Sequence, residues 1–197
     1  MNLCVFQGTF NPIHNAHMRV AEFVMKKYRF DKLLFIPAYN PPHKSCDSDM
    51  AYHRYKMVEL AVTLHDNIEV CDIEYKRQGV SYTYLTICEL IKKYSLEGQK
   101  INFLIGTDAF EKIETWYETE KLKKLVHFIV FVRENNFTPE KLEKFRKKGY
   151  DFVIESLEFE DISSTKLREK IRFGESIENL VDKKVEDYIY KNGLYKD

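Results

Sequence analysis

The chain has 197 residues, long enough for a substantial core and short enough to read as one domain over 1–197, with a small helical part over about 163–197. Its 31 lysines and arginines balance 31 aspartates and glutamates, so the formal net charge is 0; a broad nucleic-acid surface would need a basic excess, while a local anion pocket remains compatible with this balance. There is no basic N-terminal region followed by an apolar stretch of signal-peptide length, and no apolar run nears the ~20 residues that cross a bilayer, so the expectation is a cytoplasmic protein without a membrane partner.

The first informative stretch is Val5-Phe6-Gln7-Gly8-Thr9-Phe10-Asn11-Pro12-Ile13-His14-Asn15-Ala16-His17. An apolar strand, Leu3 to Phe6, runs into a glycine turn, and a helical pattern then places Val20, Ala21, Val24, Met25 and Tyr28 on one face. Strand, glycine turn and helix N-terminus make a phosphate-binding arrangement, because free N–H groups and the helix dipole both favour an anion. Gly8 permits a tight turn and close approach of a ligand to backbone. His14 and His17 can face the same side of the first helical turn, and their alternatives are surface or capping roles, or half of a metal site.

Lys32-Leu33-Leu34-Phe35-Ile36-Pro37 reads as a strand covered on both faces. It ends in a loop stiffened by Pro37, Pro41 and Pro42 that presents His43 and Lys44; loops at strand C-terminal ends are where open α/β sheets bind ligands. Met50 to Leu64 reads as a helix with Met57, Leu60, Ala61 and Leu64 on one face and Arg54 exposed or paired with a neighbour. Ile68 to Tyr75 reads as a strand. Ser81-Tyr82-Thr83 leads into a helix to about Tyr94, with Ser81 or Thr83 either capping it or contacting a ligand.

Ile101 to Ile105 is a further buried-strand run that ends in Gly106-Thr107-Asp108. Asp108 there can hold a ribose hydroxyl or a metal-bound water, or cap the short helix that follows. Trp116, the one tryptophan, is either a core or interface residue or a ligand platform. His127 to Val132 is a strand closed by Arg133, which can reach a phosphate or pair at the surface. Thr138-Pro139-Glu140 starts a charged helix ending near Gly149, and Asp151 to Glu155 makes a short strand. Ile162-Ser163-Ser164-Thr165-Lys166-Leu167-Arg168 opens a helix whose hydroxyls cap it. The same helix start, with Arg168 one turn in, suits a polyphosphate that the guanidinium can grip in bidentate fashion. Asp182 begins a last helix that stops at Asn192-Gly193. Cys4, Cys46, Cys71 and Cys88 show no C-x-x-C spacing; Cys4, Cys71 and Cys88 read as small core residues of a reduced protein.

Strand-helix alternation throughout gives an α/β fold with a doubly wound parallel sheet. Two motifs resemble one family. Gly8, Thr9, Phe10, Asn11, Pro12, His14 and His17 match the Gly-(Ser/Thr)-Phe-(Asp/Asn)-Pro-x-His-x-Gly-His hallmark of a nucleotidyltransferase family, and residues 162–168 match its Ile-Ser-Ser-Thr-x-(Ile/Leu)-Arg signature. The chain departs at Gln7 and Ala16, where glycine is usual. It also departs at Leu85, in a segment similar to the family's Ser-Tyr-Thr-x-Asp-Thr, and at Arg133-Glu134-Asn135, where Arg-Pro-Gly is usual. The resemblance covers essentially the whole chain and is closest to the bacterial nicotinate-nucleotide adenylyltransferases.

That resemblance implies a Rossmann-like fold and transfer of AMP from ATP to nicotinate mononucleotide, giving deamido-NAD and pyrophosphate in NAD biosynthesis. It implies catalytic roles for His14, His17 and Arg168, with the two histidines on the ATP phosphates. It implies ATP contacts from Gly8, Thr9, Phe10, Gly106, Asp108, Ser163, Ser164 and Thr165. Acceptor contacts follow for Lys44, Thr83, Trp116, Tyr117 and Arg133, with the indole stacked on a pyridine ring. Mg²⁺ is expected on the phosphates and not in a protein cage. A homo-oligomer is compatible with the sequence. The alternatives are a sibling that adenylylates nicotinamide mononucleotide or phosphopantetheine, and a nucleotide-binding regulator without turnover. The histidine pair and Trp116 favour the pyridine-nucleotide branch.

Overall fold

A computed structural model describes residues 1–42, 48–132, 137–157 and 162–196. Its centre is a six-stranded parallel sheet of β1 (Leu3–Gly8), β2 (Lys32–Pro37), β3 (Ile68–Val70), β4 (Ile101–Gly106), β5 (Val126–Val132) and β6 (Phe152–Ser156), in the order β3-β2-β1-β4-β5-β6. The chain steps outward from β1 to β3, then returns beside β1 and steps outward the other way. The topological switch therefore falls between β1 and β4, whose C-terminal ends are Gly8 and Gly106.

Both faces of the sheet are covered, and the alternation of strand side chains divides the core accordingly. Cys4 and Phe6 of β1 and Leu33 and Phe35 of β2 join one apolar cluster. Helices α1 (Asn15–Tyr28), α2 (Ser48–Val62), α8 (Ser164–Arg172) and α9 (Lys183–Lys191) cover that face through residues such as Val24, Met57, Leu167 and Val185. Leu3, Val5, Leu34 and Ile36 point the other way, into a second cluster with Ile87, Phe110, Leu122 and Phe145. These last residues come from α4 (Thr83–Tyr94), α5 (Thr107–Phe110), α6 (Thr119–Leu125) and α7 (Glu143–Lys147). The doubly wound α/β expectation is met.

Several local expectations change. The strand predicted over Ile68 to Tyr75 stops at Val70, and Ile73–Arg77 forms a short helix, α3. Pairing with β2 ends where the Cys71 N–H meets the Phe35 carbonyl, and the turn lets Glu74 reach back beneath β1. Helix α2 ends at Val62, which leaves Leu64 78% exposed beyond the apolar face assigned to it. Thr138 to Gly149 is a 3-10 turn, Pro139–Leu142, followed by only five residues of α-helix. Met25 and Tyr28 are half-buried against the first cluster, and Cys88 is half-buried where Cys4 and Cys71 are buried.

The exposed alternative for Arg54 is overturned. It is 0% exposed, and its guanidinium donates to the carbonyls of Thr9, Ala38 and Tyr39 at 2.8, 2.6 and 3.1 Å. The capping alternatives also change. Tyr82 holds the N-cap position of α4, while Ser81 instead joins the loop after β2, its hydroxyl accepting from the Asn40 N–H at 2.9 Å. Gly106 caps α5, which places Asp108 inside the first turn.

Candidate active site

The cleft opens at the C-terminal ends of β1 and β4, at the topological switch, and has a volume of about 750 Å³. Gly8, Thr9, Phe10 and His17 line it from the β1 side together with Ser164, Gly106 and Asp108 do so from the end of β4, and Thr83, Trp116 and Tyr117 complete the lining.

The wall from β1 is built by packing. Phe10 is 3% exposed, with its backbone in the left-handed region at φ 48°, and its ring meets Phe6, His17 and Phe35 edge-on or nearly so at 5.1 to 5.4 Å. A Cβ on Gly8 would lie 2.9 Å from the tip of that ring. Glycine is thus needed here for the Phe10 ring to lie over the backbone, beyond the close ligand approach expected from sequence. The following Asn11-Pro12 peptide is cis.

His14 holds the N-cap position of α1, and the rings of His14 and His17 stack at 3.7 Å. The His14 N–H donates to Nδ1 of His17 at 3.3 Å. A nitrogen that accepts carries no proton, so the His17 ring proton sits on Nε2. His17 lies on the cleft wall, whereas His14 is 2% exposed and is not among the lining residues.

The C-terminal motif converges on the same turn. Ser163 caps α8, its hydroxyl accepting from the Lys166 N–H at 3.2 Å. The Ser164 hydroxyl donates to the Pro12 carbonyl at 2.9 Å, and Arg168 donates to the Asn11 carbonyl at 2.8 Å and to the Thr165 hydroxyl at 3.3 Å. Of this motif, Ser164 lines the cleft, whereas Ser163, Thr165 and Arg168 do not. Tyr195, after α9, donates to Oδ1 of Asn11 at 2.6 Å. Burial pushes the Tyr195 phenol well above its usual range, against the pull of Arg168 and Arg54, so the donor stays protonated.

On the other side, Trp116 packs into the core, edge-on against Phe103 at 6.2 Å, and also reaches the cleft. Tyr117 is 47% exposed and stacks on Tyr82 at 4.5 Å, and both rings line the cleft with Thr83. His43, Lys44 and Arg133 lie outside the described residues. Among the described residues, no group of three His, Cys, Asp or Glu side chains is placed to hold a metal, and no helix is long and apolar enough to cross a membrane.

Sequence reasoning missed Arg54, Glu74 and Tyr195. Arg54 carried a signal: it lies three and four positions before the buried Met57 and Val58, and so on the buried face of α2. Glu74 sat inside a run that alternates like a strand. Tyr195 gave no signal.

Residues 5–170 match the cytidylyltransferase-like family model. The chain is 38% identical over 196 residues, 99% of its length and 97% of the relative's, to a protein of Staphylococcus epidermidis named as a probable nicotinate-nucleotide adenylyltransferase. A protein of the same name from Thermoanaerobacter is 39% identical over 204 residues, covering 100% of this chain and 95% of that one. In fold, the chain resembles the nicotinic acid mononucleotide adenylyltransferase of Plasmodium falciparum complexed with NaAD, with a TM-score of 0.80 at 22% identity and coverage of 98% and 97%. The chain therefore belongs to the cytidylyltransferase-like family, in its nicotinate-nucleotide adenylyltransferase branch.

Proposed function

We propose that the chain transfers AMP from ATP to nicotinate mononucleotide, forming deamido-NAD and releasing pyrophosphate. The observation that carries this reading is the shared cleft. The turn after β1 is clasped by the start of α8 through Ser164 and Arg168, and Trp116 stands on the same cleft's far side. One end suits a triphosphate and the other an aromatic cation. The curated relatives named above add support through their names, and the Plasmodium falciparum fold relative was solved with NaAD in one structure and with APC in another.

In the reaction, a phosphate oxygen of the mononucleotide attacks the α-phosphorus of ATP. The bond from the α-phosphorus to its bridging oxygen breaks, and pyrophosphate leaves with that electron pair. The attacking group is already an anion at neutral pH, so no side-chain nucleophile or strong base is required. Rate comes from aligning two anions and from balancing charge as it develops on the leaving group. His17 directs its Nε2–H to the α-phosphate, and His14 sets the His17 ring by stacking and through its backbone N–H. Gly8, Thr9 and Phe10 supply backbone contacts along the nucleotide, and Gly106 and Asp108 face its ribose. Ser164 meets the β- and γ-phosphate end from the cleft, and Ser163, Thr165 and Arg168 support it there by holding the same helix start on the Asn11-Pro12 turn. Thr83, Trp116 and Tyr117 take the pyridine ring and its carboxylate, and Lys44 and Arg133 belong to the acceptor side.

Mg²⁺ would be held by the triphosphate itself. The donor set of the cleft fits such a metal, since one exposed carboxylate, Asp108, lies on the wall to meet its water shell. When bound, the ion neutralises charge on the departing pyrophosphate. A cytoplasmic setting accords with the free thiols of Cys4, Cys71 and Cys88.

The test is direct. Purified protein with ATP and nicotinate mononucleotide should release pyrophosphate and a product with the mass of deamido-NAD in equal amounts. Pyrophosphate without the dinucleotide, or neither product, refutes the reading.

A further inference from the structure

The three residues after β2 are held at all of their peptide groups. Ala38 donates its N–H to the Gly8 carbonyl at 2.8 Å, and its own carbonyl accepts from Arg54 at 2.6 Å. Tyr39 donates its N–H to Oε2 of Glu74 at 3.2 Å, and its carbonyl accepts from the other terminal nitrogen of Arg54 at 3.1 Å. Asn40 donates to the Ser81 hydroxyl and accepts from the Ser81 N–H, both at 2.9 Å. Surface loops commonly leave such groups to water. Here they are taken by β1, α2, α3 and the segment before α4, at the root of the loop whose Pro41 and Pro42 line the cleft.

Arg54 reaches further than this loop. The terminal nitrogen that donates to Ala38 also donates to the carbonyl of Thr9, in the turn after β1. One buried guanidinium thus spans the turn of the triphosphate end and the root of the acceptor-side loop. Burying a charge this way is costly, and a methionine or leucine would fill the same core space without that cost. What neither can supply is a rigid fork of N–H donors set on carbonyls of two separate segments.

We propose that Arg54 is a positioning residue for the transfer, fixing the spacing between the triphosphate turn and the acceptor loop, with Glu74 as its counterpart on the other side of Tyr39. This rests on the adenylyl transfer proposed above. Two anions aligned for in-line attack tolerate little relative shift, and a displacement of about 1 Å costs on the order of 10²-fold in rate. Glu74 completes the clasp, since its other oxygen accepts from the Gln7 side chain, next to Gly8, and from the Thr86 hydroxyl at 2.6 Å.

The experiment compares wild type, Arg54→Lys and Glu74→Gln with ATP and nicotinate mononucleotide. ATP affinity is measured calorimetrically without acceptor, and thermal melting checks that each variant is folded at the assay temperature. The expected result is a kcat lower by on the order of 10²-fold with ATP affinity within about threefold of wild type. Should Arg54→Lys fail to fold, Ser81→Ala decides beside Glu74→Gln. It removes only the side-chain acceptor of the Asn40 N–H, and it should lower kcat on the order of tenfold with ATP affinity unchanged. A folded variant with kcat within about twofold of wild type overturns the proposal, as does a loss of kcat matched by an equal loss of ATP affinity. A wild type that does not turn over refutes the reaction itself, which is a separate outcome.

Discussion

Ser164 and Pro12 stand 152 positions apart and are joined by one hydrogen bond, from the serine hydroxyl to the proline carbonyl at 2.9 Å. Arg168 repeats the link one residue earlier, on the carbonyl of Asn11, and Tyr195 holds the Asn11 side chain. The C-terminal helices therefore do more than cover one face of the sheet. They fix the turn from which His17 faces the cleft.

His17→Ala should stay folded and lose on the order of 10²-fold or more in kcat, because a donor aimed at the reacting phosphate acts mainly in the transition state. His17→Gln, which keeps an N–H donor, should retain more activity than the alanine variant. Steady-state turnover of the two variants beside wild type checks this. Near-normal turnover in His17→Ala would remove the imidazole from the mechanism.

Arg168→Ala should raise the KM for ATP more than the KM for the acceptor, and Tyr195→Phe should do the same more weakly. The phenylalanine variant leaves Asn11 Oδ1 without its donor, at a cost of about 1–2 kcal/mol in stability. Initial rates with each substrate varied in turn separate the two effects. A change confined to acceptor KM would mean that the triphosphate lies elsewhere.

Gly8→Ala drives a methyl group against the Phe10 ring, which is itself pinned by Phe6, His17 and Phe35. Overpacking of this kind costs about 1–3 kcal/mol. A lower melting temperature and a lower kcat are expected together, since Phe10 also abuts His17. A melting temperature equal to that of wild type would show that the ring moves aside freely.

Asp151 sits between Lys100, 2.9 Å away, and His127, also 2.9 Å away. Burial works to raise its pKa, but the bonds from Lys100 and His127 outweigh this and hold the carboxyl below its usual range. A carboxylate with a depressed folded-state pKa contributes stability that is present above the unfolded value, roughly 3.9, and is lost as pH falls through the folded value. Wild type should therefore melt above Asp151→Asn at neutral pH, with the gap closing as pH drops below about 4. A gap that is constant with pH would contradict the ion pairs.

The sequence was most legible where burial is two-sided. The apolar run from Lys32 to Pro37 became β2 with the expected ends, because a strand covered on both faces leaves little choice of pattern. The glycine-turn and serine-rich motifs converge on one turn, as the family resemblance implied. Legibility failed where a polar side chain is buried for long-range reasons. Ile68 to Tyr75 alternates like a strand, yet the chain turns at Cys71 so that Glu74 can serve Gln7 and Tyr39, partners 67 and 35 positions away. Arg54 looked like an ordinary charged residue because the carbonyls it binds come together only in the folded chain.

The most direct measurement is pyrophosphate release from ATP with nicotinate mononucleotide, nicotinamide mononucleotide and phosphopantetheine supplied side by side. The expected result is release with the pyridine nucleotides, highest kcat/KM for the acid, and none with phosphopantetheine. Release greatest with phosphopantetheine, or absent with all three acceptors, would contradict the assignment.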